Sequence, residues 1–242
     1  MCGRFVSTST PDRIAAYFGS QLPTEVAAEP LGDNYNVAPT QDIYAVVGNP
    51  DGTARISTYH WGLVPSWAKD RKIASRMINA RSETLADKPA FKGLLKKKRC
   101  IVPMDGFYEW KAGAEGGPVN AKGKPLKQPM LIRRTDGNPM AVAGLWTAWK
   151  DPDDPEGRFL HSVTVITTAA DEFMAPVHDR MPAVVPPSMW ATWLDPTNDD
   201  VHAVSEVFEP GRHGPREMLA VSTEVNNVRN NRPDLLEPIE LP

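Results

Sequence analysis

Apolar positions along the chain fall into short, often β-branched runs separated by Gly, Pro and Asn, a pattern that predicts many strands and few helices. The first clear helix is the exception. Thr10-Pro11-Asp12 followed by Ile14, Ala15, Tyr17 and Phe18 supplies an N-cap, a proline at the first helical position and an apolar stripe, ended by Gly19. Residues 20–40 are Pro-rich and irregular, and Tyr35-Asn36-Val37-Ala38-Pro39-Thr40 reads as an extended loop. Ile43 to Val47 and Ala54 to Leu63 form a hairpin turned at Asn49-Pro50-Asp51-Gly52. Ser82 N-caps helical turns that reach Lys98 and break at Lys88-Pro89, so Asn79 and Arg81 precede a helix.

Arg99 to Trp110 reads as one strand in which Gly106 marks a bulge or a close backbone approach. Residues 111–127 lack periodicity and read as a mobile connection. Gln128 to Arg134 and Met140 to Lys150 are read as a second hairpin, and Arg158 to Thr168 as a β-branched strand. Ala169 to Ala175 reads as a helical turn, Ala183 to Val185 returns to the sheet, and Pro187 to Leu194 and Val201 to Phe208 are short helices. From Glu224 on, Asn and Pro dominate and predict an irregular strap or tail. With strands in hairpin order and no internal repeat, the expected fold is a single α+β domain over 2–230, with a largely antiparallel, barrel-like sheet, short flanking helices and an irregular tail at 231–242.

Composition narrows the class without naming a function. The 242 residues are 41% hydrophobic, enough for one substantial core. No apolar run is long enough to span a membrane, and residues 1–20 lack the basic-then-apolar order of a signal peptide. The expectation is a soluble, monomeric, cytoplasmic protein, nucleoid-associated if bacterial. A net charge of -3 gives no global sign of nucleic-acid binding, but residues 69–99 hold eleven Lys or Arg against three acids. That excess presents either a basic face to phosphates or, at Lys96-Lys97-Lys98-Arg99, a solvated helix end favoured by the helix dipole. The five His show no paired ligand spacing, so no metal and no cofactor is expected.

Cys2 and Cys100 are the only cysteines and are expected as free thiols, Cys100 inert within a strand. Cys2 has two readings: a small residue that follows the initiator Met, or a nucleophile. If Met1 is removed, Cys2 carries an α-amine of pKa roughly 8 beside a thiol of roughly 8.5, a 1,2-aminothiol. An aldehyde condenses with such an amine to a Schiff base, which the thiolate closes to a thiazolidine. Glu109 between aromatics and His178 beside Arg180 suit the proton transfers this needs, although a half-buried strand Glu and a loop His are the plain alternatives, as a turn residue is for Asn79.

Met1-Cys2-Gly3-Arg4-Phe5, Tyr35-Asn36-Val37-Ala38-Pro39, Trp61-Gly62-Leu63-Val64-Pro65-Ser66-Trp67, Ile78-Asn79-Ala80-Arg81-Ser82-Glu83-Thr84, Tyr108-Glu109-Trp110-Lys111 and His178-Asp179-Arg180-Met181-Pro182 together resemble the SOS response-associated peptidase (SRAP) family, in the family's order and over nearly the whole chain. The resemblance implies shielding of abasic sites in single-stranded DNA, or at its junctions with duplex, by a covalent crosslink from Cys2 to the C1′ aldehyde of the sugar. Carried over, Asn79 orients the sugar, Glu109 and His178 handle protons, and Gly3, Arg4, Arg81 and Arg180 lie along the DNA, the arginines gripping phosphates. Pro39, Trp67, Trp110 and Met181 would be apolar surfaces for bases or sugars, with a core role open for both Trp. Ala68 after Trp67 and the long 111–127 connection depart from some members. The family name also implies peptidase activity, which here could be self-removal of Met1. An N-terminal-nucleophile cysteine hydrolase uses the same Cys2 but turns over, and a noncovalent nucleic-acid-binding module leaves Cys2 incidental.

Overall fold

The computed structural model describes residues 2–113, 119, 123, 125–152, 154–209 and 214–241. Most of the 111–127 connection lies outside them. Two sheets face each other across an apolar layer. One is antiparallel with strand order β12-β8-β7-β1-β2, made from β1 (Phe5–Ser7), β2 (Asn34–Val37), β7 (Gly106–Lys111), β8 (Gln128–Arg134) and β12 (Arg216–Ala220). The other is built from β3 (Asp42–Gly48), β4 (Ala54–Trp61), β6 (Arg99–Met104), β9 (Met140–Lys150) and β10 (Phe159–Ala169), with the short strands β5 (Asn79–Arg81) and β11 (Arg180–Pro182) along β10. Because β10 pairs with β9 on one side and with β4 on the other, through Ser162↔His60 and Val163↔Trp61, the five long strands close into a ring. The barrel-like α+β expectation is therefore met.

Alternation along the strands sorts side chains into layers. Ile43, Ala45 and Val47 of β3 point inward with Tyr59, Trp61, Val102, Val163 and Val165, and meet Phe5, Phe107 and Ile132 from the antiparallel sheet. Tyr44, Val46, Ile56, Ile101 and Ile166 point the other way, under α1 (Pro11–Phe18), α3 (Pro89–Lys97) and α4 (Trp190–Leu194). Val6, Tyr108 and Leu131, on the far face of the antiparallel sheet, are covered by Val221, Val225 and Leu235 of the C-terminal strap.

The caps of α1 are those expected: Thr10 accepts the Arg13 N–H and Gly19 ends the helix at φ +60°. Four expectations are corrected. Asn34–Val37 is strand β2, paired with β1, and not loop. Asn79–Arg81 is strand β5, held parallel to β10; Ser82 begins a single 3₁₀ turn, and the helix starts only at Pro89, whose missing N–H costs nothing there. The run from Arg99 to Trp110 divides at Asp105 and changes sheets. The Asp105 carboxylate accepts the backbone N–H groups of Thr8 (2.6 Å) and Ser9 (2.8 Å), which pins the crossing to β1. At Gly106 a Cβ would lie 2.9 Å from Leu131 Cδ1, the close approach anticipated there. Finally, β8 and β9 are not a hairpin: β7 and β12 occupy both edges of β8, and β6 and β10 those of β9.

Arg99 is 3% exposed and ties the helical layer to the barrel. Its guanidinium donates to the carbonyls of Trp193 (2.6 Å), Leu95 (2.7 Å), Lys96 (2.6 Å), Asn198 (3.0 Å) and Asp195. Arg99→Leu strands these buried acceptors and is expected to lower stability by about 3 kcal/mol or more, read as a lower urea midpoint.

Burial also makes the fold sensitive to alkali. It pushes up the thiols of Cys2, to about 12, and of Cys100, and the phenols of Tyr59 and Tyr108. The folded chain thus keeps protons that the unfolded chain releases near roughly 8.5 for Cys and 10 for Tyr. Their contribution is complete below the unfolded values and is lost as pH rises past them, so the urea midpoint is expected to fall between about pH 8 and 11. Cys100→Ala should flatten that decline; equal slopes for the two proteins would show that the thiol does not contribute.

Candidate functional site

The inward end of β1 and the start of β5 meet at Cys2. Asn79 reaches across from β5, where Asn79↔Val165 pairing fixes its backbone, and its Nδ2 donates to the Cys2 carbonyl at 2.6 Å. Asn79 Oδ1 is buried and has no hydrogen-bond partner among the described residues. Glu109 comes from β7, beside β1 through Phe5↔Phe107, and is itself buried. Desolvation of the fully buried Cys2 pushes its thiol up to about 12, the Glu109 carboxylate adds to the rise, and the Arg4 backbone N–H opposes it. One Glu109 oxygen accepts the Trp110 backbone N–H at 3.2 Å. Asn79 of β5 and Glu109 of β7 are therefore gathered with Cys2, which lies just before β1.

His178 closes the turn that leads into β11, its backbone N–H donating to the Met174 carbonyl at 3.1 Å. Its Nδ1 accepts the Arg180 N–H at 3.0 Å and lies 2.7 Å from an Asp179 carboxylate oxygen. The first contact needs a bare Nδ1 and the second an Nδ1–H, so the position of the ring proton selects between them.

The arginines differ sharply in how they are engaged. Arg180 Nη1 and Nη2 grip Glu83 at 2.5 and 3.0 Å, and Nη2 also donates to the Thr167 carbonyl at 2.6 Å. Arg4 Nη1 donates to Asn36 Oδ1 and to the Val225 carbonyl, both at 2.8 Å, with its guanidinium carbon 5.8 Å from the Trp110 ring centre. Arg81, paired with Thr167 through β5 and β10, is exposed. Gly3 and Pro39 are half-buried. Trp110 donates from Nε1 to Asn226 at 2.6 Å, and Trp67 is 64% exposed, over a cleft lined by Pro65, Pro89, Gly93 and Leu94. Met181 is different: at 2% exposure it packs in the barrel interior, and its sulfur accepts the Asp171 N–H at 3.3 Å, so it offers no open surface.

Glu83, Thr167, Asn36 and Asn226 were not singled out from sequence, although each holds a residue that was. Asn36 carried a signal: as a polar residue inside a strand, it donates through Nδ2 to the carbonyls of Val225, Asn227 and Asn230 and so fastens the C-terminal strap. Among the described residues no group of three His, Cys, Asp or Glu could hold a metal, and no helix is long and apolar enough to cross a membrane.

Fold and site define a barrel-containing α+β protein whose second residue, a cysteine, is seated beneath an amide and a carboxylate from neighbouring strands. The family model for the SOS response associated peptidase (SRAP) matches residues 1–228, and the chain belongs to that family. It is 40% identical over 238 residues to the abasic site processing protein YoqW of Bacillus subtilis, covering 98% of this chain and 99% of that one. It is 31% identical to YedK of Escherichia coli (99% and 100% covered) and 31% identical to HMCES of Xenopus tropicalis (100% and 79% covered), both likewise named abasic site processing proteins. A crystal structure of a protein from Bacteroides thetaiotaomicron shares the fold with a TM-score of 0.81 at 22% identity, covering 99% of this chain and 100% of that one.

Proposed function

We propose that this protein processes abasic sites in DNA, capturing the base-less sugar of a single strand as a thiazolidine on Cys2. The observation that carries the reading is the convergence on Cys2: Asn79 holds its carbonyl, and the buried Glu109 carboxylate adds to the rise of its thiol pKa. The names of the relatives supply the lesion, and the geometry supports the chemistry. While Met1 is attached, the amine needed for capture is blocked, and a thiol pushed up to about 12 is protonated at neutral pH and inert. Removal of Met1, by the protein itself or by a processing enzyme, frees the α-amine.

The amine nitrogen then attacks C1′ of the ring-opened sugar, giving a carbinolamine. Protonation of its hydroxyl expels one water and leaves an imine. The Cys2 sulfur adds to the imine carbon, the thiol proton passes to nitrogen, and the five-membered ring closes, one water being lost overall. Glu109 would move the protons at Cys2, and His178 those of the sugar oxygen. Asn79 Oδ1, a buried acceptor with no partner among the described residues, suits a sugar hydroxyl. Arg81 is open to a phosphate, whereas Arg4 shapes the site from inside and Arg180 reaches a phosphate only in exchange for Glu83. Gly3 and Pro39 line the approach, Trp67 and Trp110 offer rings to bases, and Met181 supports the wall from within.

The test mixes the processed protein with a single-stranded oligonucleotide carrying one abasic site, beside an intact strand. The expected product survives a denaturing gel, forms only with the abasic strand, and weighs the sum of its parts less one water. Absence of that species from protein shown by mass to lack Met1 would overturn the reading, and steady release of an amide product with turnover would point to the hydrolase instead.

A further inference from the structure

We propose that a second cavity, of about 350 Å³ and lined by Thr40, His60, Arg71, Lys72 and Ser75, binds a backbone phosphate of the strand whose sugar Cys2 captures. The identity of that strand rests on the reading above; the anion site rests on its own geometry. Arg71 and Lys72 lie on the 3₁₀ turn Arg71–Arg76 and are exposed, and neither closes an ion pair among the described residues. Gly62 brings this turn onto the end of β4: at φ +128° it leaves room for the Ala74 carbonyl, which would lie 2.6 Å from a Cβ. Both cations are thereby set beside His60, which is 5% exposed at the cavity floor.

The neighbouring acids are already occupied. Asp70 turns its carboxylate to the Lys72 backbone N–H at 2.8 Å. Asp42 lies 3.7 Å from His60 Nδ1, and its carboxyl is held low first by that His and also by Arg71. Neither carboxylate is among the residues that line the cavity, whereas both cations are. Thr40, which also lines the cavity, adopts φ +70°, a left-handed conformation that β-branched residues rarely hold, with its N–H fixed on the Trp61 carbonyl at 2.8 Å. Local strain of this kind concentrates at binding sites.

A chain of hydrogen bonds and adjoining residues also connects the cavity to the reacting residue. From Thr40 the path runs to Trp61, whose Nε1 donates to the Ile78 carbonyl at 3.0 Å, and from the adjoining Asn79 to the Cys2 carbonyl. Pro39, next to Thr40, lines the same approach. Arg4 and Arg180 are engaged by protein partners, so exposed cations must hold the strand: Arg81 beside the site, and Arg71 and Lys72 at this cavity.

The test uses Cys2→Ala protein and an intact thymidine oligonucleotide, which removes crosslinking from the measurement. The slope of log affinity against log salt is compared for this protein, for Arg71→Gln/Lys72→Gln, and for Lys96→Gln/Lys97→Gln, which removes equal charge from the end of α3. Loss of one phosphate contact should reduce the slope by about 0.7 on a single strand, so the first double variant is expected to lose about 0.7 and the second none. An unchanged slope at Arg71/Lys72, or equal losses in both variants, overturns the site. Inorganic phosphate forms the second arm: at matched ionic strength it should release the oligonucleotide better than chloride does, and only when Arg71 and Lys72 are present. Phosphate binding that depends on these residues without any effect on the DNA slope would assign the cavity to the free ion and overturn its assignment to the strand. Absence of a crosslink in the wild-type protein would sink the thiazolidine reading and leave this result standing.

Discussion

Cys2→Ala is expected to reduce the denaturation-stable adduct with an abasic strand below about one hundredth of the wild-type yield, because the ring cannot close without sulfur. The variant is informative because it removes only half of the reactive pair. Once Met1 is gone, the substituted chain still begins with an α-amine, and Asn79 still holds the carbonyl of its first residue. An imine can therefore form and hydrolyse again. Borohydride should trap it as a stable secondary amine, so the adduct lost on the ordinary gel is expected to return when reductant is added during the reaction.

Deleting one fully buried sulfur costs roughly 1 kcal/mol of apolar burial, too little to unfold a domain of this size. Noncovalent binding of an intact strand, and its salt slope, should stay at the wild-type value, since no phosphate contact is touched. A stable adduct in Cys2→Ala without reductant would show that the sulfur closes no ring. No adduct even with borohydride would place the nucleophilic amine elsewhere.

How much of this was legible in the sequence depended on how far apart the cooperating residues lie. The caps of α1 were readable because Thr10 and Gly19 act on residues within a turn of themselves. The β3–β4 hairpin was readable for the same reason, its turn lying between two alternating runs. The pairing of β8 was not. Local alternation marks a strand but does not choose its neighbour, and both edges of β8 are filled by β7 and by β12, the latter more than 80 residues away in sequence. The division of β6 from β7 was hidden because Asp105 looks like any polar residue until Thr8 and Ser9 arrive to donate to it.

The site shows the same limit. The resemblance brought Cys2, Asn79, Glu109 and His178 forward as types, but not what each side chain touches. Arg180 looked like a free guanidinium until Glu83 and Thr167 met it across β10, and Met181 looked like a surface until the barrel closed over it. The basic excess at 69–99 was legible as charge. Only the turn over Gly62 separates Arg71 and Lys72, which line a cavity, from Lys96 and Lys97 at the end of a solvated helix.

Glu109→Gln is the second substitution with a large expected effect, and its direction decides what the carboxylate does. Gln keeps the shape and the acceptor that receives the Trp110 N–H, so the β7 backbone and the Asn79 contact should persist. Two consequences then oppose each other. The Glu109 charge helps to push the Cys2 thiol up, and its removal lowers that pKa, although burial, the larger cause, remains. If thiolate formation limited capture, the variant would be faster near neutral pH. If proton transfer at the amine and the carbinolamine limits it, the loss of a positioned acid-base group should slow the single-turnover rate by roughly 10²–10⁴. The second outcome is expected, because water must leave the carbinolamine before the sulfur has an imine to attack. The rate is followed on denaturing gels from about pH 5 to 9, and the thiolate is titrated separately, into the alkaline range, by its ultraviolet absorbance. A slower rate together with a lowered thiol pKa assigns Glu109 to proton transfer. A rate at or above wild type with the same lowered pKa would leave it only the electrostatic task of keeping the buried thiol protonated.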